Sequence, residues 1–566
     1  MRKKLLTFII VAIMIITSSS LFACKKSSTK YDPDNFLTAE EAAALGTPYK
    51  IVKESITIKV FVPRCSSNPH YSEMKMFQKL SEVTNVKFNF VEADTSEYMT
   101  QRTLAWEDKK QLPDLFLYNN TISEIVIYSG LNALTPINDD GYTKDGLKIG
   151  SLLDYMPNYK ALLDDNFGLD TKVSAKEIMT ISDGLMYSTA SVVDVPRDLT
   201  YKMFINQKWI DNINKYFITD NDEKLPNADE IRTVDQYLTV LRAFKQYDAN
   251  LNDDPNDEIP VTAEKLDYLR NFILQAYGRV SPYIEINNDE TEFKYTAGTE
   301  AYKKYLETMA IMYNEGLLDN TTFSTTSTNI ASKGFDNRLG SFSASAAFIV
   351  VDDQLDPDYT TLYPITSEYY NDTPVQFSYA KIDPLGAVIP SNTVYSREIA
   401  RLLDIMYSDY GVELWSFGEE GVDWKWTDET KTAWLKTIPE TWTKSSEEYR
   451  ATLTPDVGQG VCLYNSWAFI GKEAGEYNKK LNKLAEKYTE YLKEPIPAYI
   501  KLTSQEYQDE ALIGTSLESC VKEWEIAFVK GEKTVANDWN SYLSALNGYR
   551  YKDLEKIYND ALKRGV

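Results

Sequence analysis

Ile56-Thr57-Ile58-Lys59-Val60-Phe61-Val62 places Ile56, Ile58, Val60 and Val62 at every second residue, which is the period of a strand with one buried face. Met74, Phe77, Leu80 and Val83 follow at helical spacing, and Val86, Phe88 and Phe90 return to the period of two. A further helical stretch runs near Tyr98–Trp106, and Pro113-Asp114-Leu115-Phe116-Leu117-Tyr118 reads as a short buried strand. Strand, helix, strand, helix, strand at this spacing predicts an α/β fold with an open parallel sheet. Ligands of such sheets lie at the carboxyl ends of the strands. Here those ends are Pro63–Tyr71 and Tyr118-Asn119-Asn120-Thr121.

From Trp209 onward the pattern is mostly helical, with clear amphipathic runs at Val234–Tyr247 and Tyr302–Leu317. Ala387-Val388-Ile389 is strand-like and leads into a helix with Ile399, Leu402, Leu403, Met406 and Tyr410 on one face. Leu554, Ile557, Tyr558, Ala561 and Leu562 form the core stripe of a last helix. The chain has no internal repeat.

With 566 residues, 43% hydrophobic and 25% charged, the chain is long enough for two large bodies and is not disordered as a whole. Lys+Arg 60 against Asp+Glu 84 gives a net charge of −24, which repels nucleic acid and anionic lipid. A single histidine, His70, argues against Ser-His-Asp, Cys-His and multi-His zinc chemistry. Cys24, Cys65, Cys462 and Cys520 contain no CxxC, so neither a disulfide framework nor a metal cluster is indicated. Tyr 40, Trp 10 and Phe 22 suit flat hydroxylated ligands and ordinary cores alike.

Arg2, Lys3 and Lys4 precede an apolar run from Leu5 to Ile16, too short to span a bilayer and of secretory length. Leu21-Phe22-Ala23-Cys24 follows and resembles a bacterial lipobox. Residues 1–23 are thus expected to be a signal peptide, Cys24 the lipidated residue and 24–49 a tether. This puts the protein on the outer face of the cell membrane, in the manner of a Gram-positive lipoprotein. The alternative is an ordinary signal peptide cleaved nearby. Thr38 is placed to cap a short helix over Ala39-Glu40-Glu41.

Several segments occur in the order of a known family. Leu112-Pro113-Asp114-Leu115 resembles its LPD strand, Asp183-Gly184-Leu185-Met186-Tyr187 its DGxxY segment, and Tyr313-Asn314-Glu315-Gly316-Leu317-Leu318-Asp319 its YxEGLID segment. Gly418-Glu419-Glu420-Gly421 resembles a GxEG turn. Phe528, Gly531, Trp539, Tyr542, Leu546, Gly548, Ile557-Tyr558 and Arg564 follow the closing pattern. Ile205-Asn206-Gln207-Lys208-Trp209-Ile210 occupies the place of IRxDWL, with Asn206 and Lys208 where Arg and Asp are usual. The chain thus resembles the family 1 extracellular solute-binding proteins of ABC importers. The resemblance implies a two-lobe type II periplasmic-binding-protein-like fold with the ligand in the inter-lobe cleft. One lobe would hold 50–200 and 380–430, the other 201–379 and 431–566. It also implies a monomer without enzymatic activity that captures a carbohydrate, an oligosaccharide by the family's habit, and passes it to an ABC permease. A peptide-binding lipoprotein of the same superfamily and a secreted glycoside hydrolase are the alternatives. The hydrolase would need two carboxylates about 5–9 Å apart across the cleft.

Asp248, Asn250, Asn252, Asp254, Asp257 and Glu258 alternate oxygen-bearing side chains through one loop, as a hard cation requires. Family members often carry DxNxNGxxDEIP here and bind calcium. This chain has Leu251 and Asp253 in place of the glycines and one residue inserted before Asp257-Glu258. The expectation is a structural Ca2+ away from the cleft; a solvated acidic turn is the alternative. For the ligand, the strand ends suggest Arg64, Asn68, His70, Tyr118 and Asn119. Tyr187 comes from the crossing segment, and Trp415 and Trp424 from the return region.

Overall fold

The computed structural model describes residues 31–566 apart from 65–67, 109–111, 119, 194, 220–221, 264, 325–326, 353, 444–445, 456–463, 466 and 566. The expected signal peptide, Cys24, Cys65, Cys462 and Asn119 lie outside the described residues.

Strand β1 (Ile56–Arg64) lies between β2 (Val86–Asp94) and β3 (Leu115–Phe116), and all three run parallel, in register from Ile56↔Val86 to Arg64↔Asp94. The alternation of β1 sends Ile58, Val60 and Val62 into one core with Phe77 and Leu80 of the helix Lys75–Thr84. Phe61 points to the opposite face, where it packs with Tyr98 and Phe116. Asn85 ends the helix in a left-handed conformation, φ 61°, with its N–H on Ser81 O. Asp114 fixes the start of β3: its carboxylate accepts from Lys59 N at 2.8 Å, and its own N–H donates to Lys59 O at 2.8 Å. Val388 then pairs antiparallel with Phe116 and extends the sheet. The strand expected at Ala387–Ile389 is present as isolated bridges from Val388 to Phe116 and to Ser188.

The segment expected as a tether lies against this body from Tyr31 on. Arg397 donates to the Tyr31 hydroxyl at 2.7 Å and stacks over Phe36, and Phe36 and Leu37 are buried. Thr38 caps Ala39–Ala44 in a capping box with Glu41.

A second body carries its own four-stranded sheet, in the order Tyr359–Thr361, Lys202–Asn206, Leu339–Ala344, Ile259–Ala263. The last two strands are parallel to each other, and Lys202–Asn206 runs antiparallel to its neighbours. The sequence reading, mostly helical from Trp209 onward, does not include these strands. Lys202–Asn206 and Leu339–Ala344 are buried at every residue, so they carry no alternation to read. Asn206 caps the helix Gln207–Tyr216 by accepting from Trp209 N at 3.1 Å.

The bodies are joined by Ser191–Val193, which pairs antiparallel with Ile382–Asp383, and by a chain crossing near Leu492–Lys493, which pairs with Gln376–Phe377. Trp434 packs on Phe417 and Trp424, and the helix Glu476–Ala485 and the turn after it reach the second body through Lys480–Asp356 and Lys487–Asp229. No helix among the described residues is long and apolar enough to cross a membrane.

One buried ion pair ties the helices of the second body together. Arg270 on Leu266–Gln275 meets Glu525 on Ser504–Val529 through Nε–Oε1 at 2.8 Å and Nη2–Oε2 at 2.7 Å, and Tyr305 donates to the same carboxylate. Both charged side chains are buried. Removing one partner strands the other in a low-dielectric interior. Arg270→Ala is expected to lower unfolding stability in urea by about 3–5 kcal/mol, and Arg270→Met with Glu525→Leu by much less. Equal losses in the two proteins would refute this account.

Candidate functional site

The carboxyl ends of the parallel strands open on a cavity of about 380 Å³. Pro63 comes from β1, Thr95 follows β2, and Asn120 follows β3; Tyr98 and Met99 begin the next helix, Tyr98–Glu107. Ser191, Asp383 and Leu385 of the crossing segments close the remaining side. Each position has a local cause. Thr95 N donates to Arg64 O at 3.2 Å, which turns the chain over the end of β1. The Asn120 amide donates to Gly386 O, and the crossing segment runs so close that a Cβ at Gly386 would meet Thr189 O at 2.4 Å. The Tyr98 hydroxyl donates to Tyr118 O at 3.0 Å, and burial pushes its pKa up to about 12. Arg102 lies over the Tyr98 ring and forms a buried pair with Glu124, with Nε–Oε1 at 3.1 Å, which locks the two helices that frame the cavity.

Among the described residues, Asp383 is the only charged side chain lining this space. Burial pushes its pKa up to about 7, the charge of Glu494 adds to the shift, and Lys501 opposes it. Glu494 is itself pushed up to about 7 by burial, and Lys501 is pushed down to about 8 by the same cause. Three ionisable groups thus crowd the crossing point in a poorly solvated setting.

The second body carries a cluster of tyrosines at one end of its sheet. Tyr201 and Tyr268 stack with ring centroids 3.4 Å apart, and Tyr379, 45% exposed, meets Tyr201 edge-on at 6.2 Å. Tyr201 precedes the strand Lys202–Asn206, and Tyr268 lies in the helix that follows the carboxyl end of Ile259–Ala263.

The sequence-derived candidates fall into two groups. Arg64, Asn68 and His70 gather at the ends of β1 and β2 around Glu92. Arg64 Nε lies 2.9 Å and His70 Nδ1 2.6 Å from Glu92 Oε2, and Arg64 Nη1 donates to Asn68 O at 2.8 Å. None of the three lines the cavity. Tyr118, Trp415 and Trp424 are core residues, a correction to their expected place in the cleft. Tyr118 is 1%, Trp415 2% and Trp424 0% exposed. Trp415 packs edge-on to Tyr118 at 6.2 Å, and Trp424 Nε1 donates to Gly418 O inside the cluster with Trp434 and Phe469. Large aromatic area is better buried between elements than left at a rim. Tyr187 is also buried, and its hydroxyl donates to Asp183 at 2.9 Å. The residues that line the cavity, Tyr98, Asn120 and Asp383 among them, carry no sequence signal beyond their place after a strand or near a crossing.

In the Asp248–Glu258 loop, Leu251 and Asp253 adopt φ 58° and 71°, so the two residues standing for glycines still make the left-handed turns. Asp248 accepts from Asn252 N and Asp253 N, while Asn250 and Asn252 donate their amides to Asp257. Asp254 accepts from Asn256 N. Glu258 is buried; its Oε1 accepts from Ala249 N at 2.8 Å, and its Oε2 has no partner. Among the described residues, no three His, Cys, Asp or Glu side chains gather closely enough to hold a metal ion. The loop has the backbone and one orphaned oxygen of a cation site, with its carboxylates drawn apart.

No family model matches the chain. The chain is 25% identical over 347 residues to the fructooligosaccharide ABC transporter substrate-binding protein FusA of Streptococcus pneumoniae serotype 4, covering 60% of this chain. It spans 57% of the length of that curated relative. Solved structures of S. pneumoniae FusA match nearly the whole fold. The complex with kestose gives a TM-score of 0.71 at 19% identity, over 90% of this chain and 99% of that one. An EF-hand mutant with fructo-nystose gives 0.70 at 19%, over 90% and 99%. An extracellular solute-binding protein from Bifidobacterium longum subsp. infantis gives 0.71 at 16%, over 91% and 99%. The two-lobe α/β architecture expected from the sequence is therefore the fold of ABC-importer solute-binding proteins. These proteins are named as binders, not enzymes.

Proposed function

We propose that this protein is an extracellular solute-binding protein that captures a neutral oligosaccharide, of the fructooligosaccharide class, between its lobes and hands it to an ABC permease. The observation that carries the reading is the cavity at the strand ends, closed by the crossing segments of a two-lobe fold whose curated relative is named for fructooligosaccharides. Capture without turnover is favoured over hydrolysis because, among the described residues, Asp383 is the only carboxylate lining that cavity, whereas hydrolysis takes two. Closure would bring the Tyr201, Tyr268 and Tyr379 rings toward the strand ends, where ring faces can stack on sugar C–H surfaces. The expected result with kestose is a rise in melting temperature and saturable heat in calorimetry, with the sugar recovered intact by chromatography. Release of fructose would reverse the reading.

We assign the Asp248–Glu258 loop a structural calcium ion, held by oxygens of Asp248, Asn250, Asn252, Asp254, Asp257 and Glu258 after the two asparagine amides turn their oxygens inward. The left-handed Leu251 and Asp253 and the unpartnered Glu258 Oε2 support this, as does the EF-hand of the related FusA. Added Ca2+ should raise the melting temperature of chelator-treated protein by several degrees, and Glu258→Gln should abolish the rise. An identical melt with and without Ca2+ would remove the ion from the account.

The lipobox assigns Cys24 as a lipid anchor on the outer membrane face, and no partner beyond the permease is required. In a host with lipoprotein processing, the protein should fractionate with membranes and Cys24→Ser should be released to the medium. Membrane retention of the variant would exclude this anchor.

A further inference from the structure

The cavity at the strand ends has an asymmetry of hydrogen-bonding capacity. Its amide and phenol are already engaged: Asn120 donates to Gly386 O and Tyr98 to Tyr118 O. The Asp383 carboxylate differs. Among the described residues, no hydrogen bond reaches it, and only the charges of Lys501 and Glu494 act on it. It is half-buried, so this acceptor is held in the cavity wall with little water around it. An acceptor left in that condition is costly unless a donor arrives.

The backbone explains why the side chain points inward. Asp383 pairs with Ser191 and Ile382 with Val192 across the two crossing segments. Alternation sends neighbouring side chains to opposite faces. Ile382 lines a separate groove of about 670 Å³ that includes Lys172, Glu290 and Tyr499, whereas Asp383 lines the strand-end cavity. The carboxylate therefore sits on the segment that joins the lobes, opposite the ends of β1, β2 and β3.

The pKa of Asp383 is pushed up to about 7 by burial, so above that pH its carboxylate is ionised, accepts hydrogen bonds and donates none. It suits vicinal hydroxyls, which are donors on a neutral carrier, and it repels a carboxylate or phosphate on the ligand. We propose that Asp383 is the hydroxyl-binding anchor of this cavity: it accepts from one or two hydroxyls of a neutral sugar unit and excludes acidic sugars. The inference rests on the oligosaccharide reading above and names the residue that sets its chemical class.

Calorimetry with kestose and the full chain tests it, with Asp383→Asn and Asp383→Ala compared against wild type. Asp383→Ala should weaken binding by on the order of ten- to a hundredfold, the range for a hydrogen bond to a charged group. Asp383→Asn, which keeps a carbonyl acceptor, should lose less. Both variants should melt at or above the wild-type temperature, because the carboxylate they remove has no partner in the free protein. A crystal of the kestose complex should place a sugar oxygen within hydrogen-bond reach of Asp383. Unchanged affinity in both variants overturns the assignment while leaving the oligosaccharide reading standing. A matching drop in melting temperature and affinity overturns it too, in favour of a structural role. Failure of the wild type to bind kestose or any neutral glycan sinks the functional reading and this inference with it.

Discussion

The register between the two crossing segments governs everything at the centre of the molecule. Ile382 faces Val192 and Asp383 faces Ser191, and both apolar partners are buried in the core of the first body. A slip of one residue would exchange the faces, pushing a carboxylate into the rear groove and an isoleucine into the cavity. Neighbouring contacts hold the register. Ser188 donates to Pro384 O at 2.7 Å, Ala387 N donates to Thr189 Oγ1 at 3.0 Å, and Ala190 N donates to the Tyr159 hydroxyl at 3.0 Å. The chain is thus pinned for several residues on each side of the point where a hinge must bend, so bending is left to the stretches beyond.

Buried charges frame the site and are paired wherever they serve only structure. Arg102 with Glu124 joins the helices beside the cavity, and Arg270 with Glu525 joins the helices of the second body. Lys202, fully buried, donates to the carbonyls of Arg197, Thr200 and Ser345. The Asp383 carboxylate, by contrast with these pairs, receives no hydrogen bond among the described residues and lies at the cavity wall.

The first half of the architecture was legible because its strands are half-buried. Ile56, Ile58, Val60 and Val62 alternate visibly, and Asp114 announces the turn into β3. The second sheet left no such trace, since Lys202–Asn206 and Leu339–Ala344 are enclosed on both faces. Site residues were harder for a different reason. Tryptophan is conspicuous in a sequence, but Trp415 and Trp424 spend their area on packing. Asp383 is one of many acidic residues and becomes distinctive only through its pairing with Ser191. The strand-end rule leads to Arg64 and His70, which are held by Glu92, while the cavity beside them is lined by the neighbouring Pro63 and Thr95.

Net charge and local chemistry point to the same cargo. A chain carrying −24 repels polyanions before contact, and an acceptor with no nearby hydrogen-bond donor repeats that discrimination at the wall of the cavity. Lys501 opposes the charge of Asp383 while donating to Ala498 O at 3.2 Å and to Ile178 O. The other walls mix the apolar Pro63, Met99, Leu385 and Tyr98 ring with the neutral polar Thr95, Asn120 and Ser191. A neutral ring with hydroxyls on its edge and C–H groups on its faces matches the carboxylate, the apolar walls and the tyrosines of the second body without leaving any of them unsatisfied.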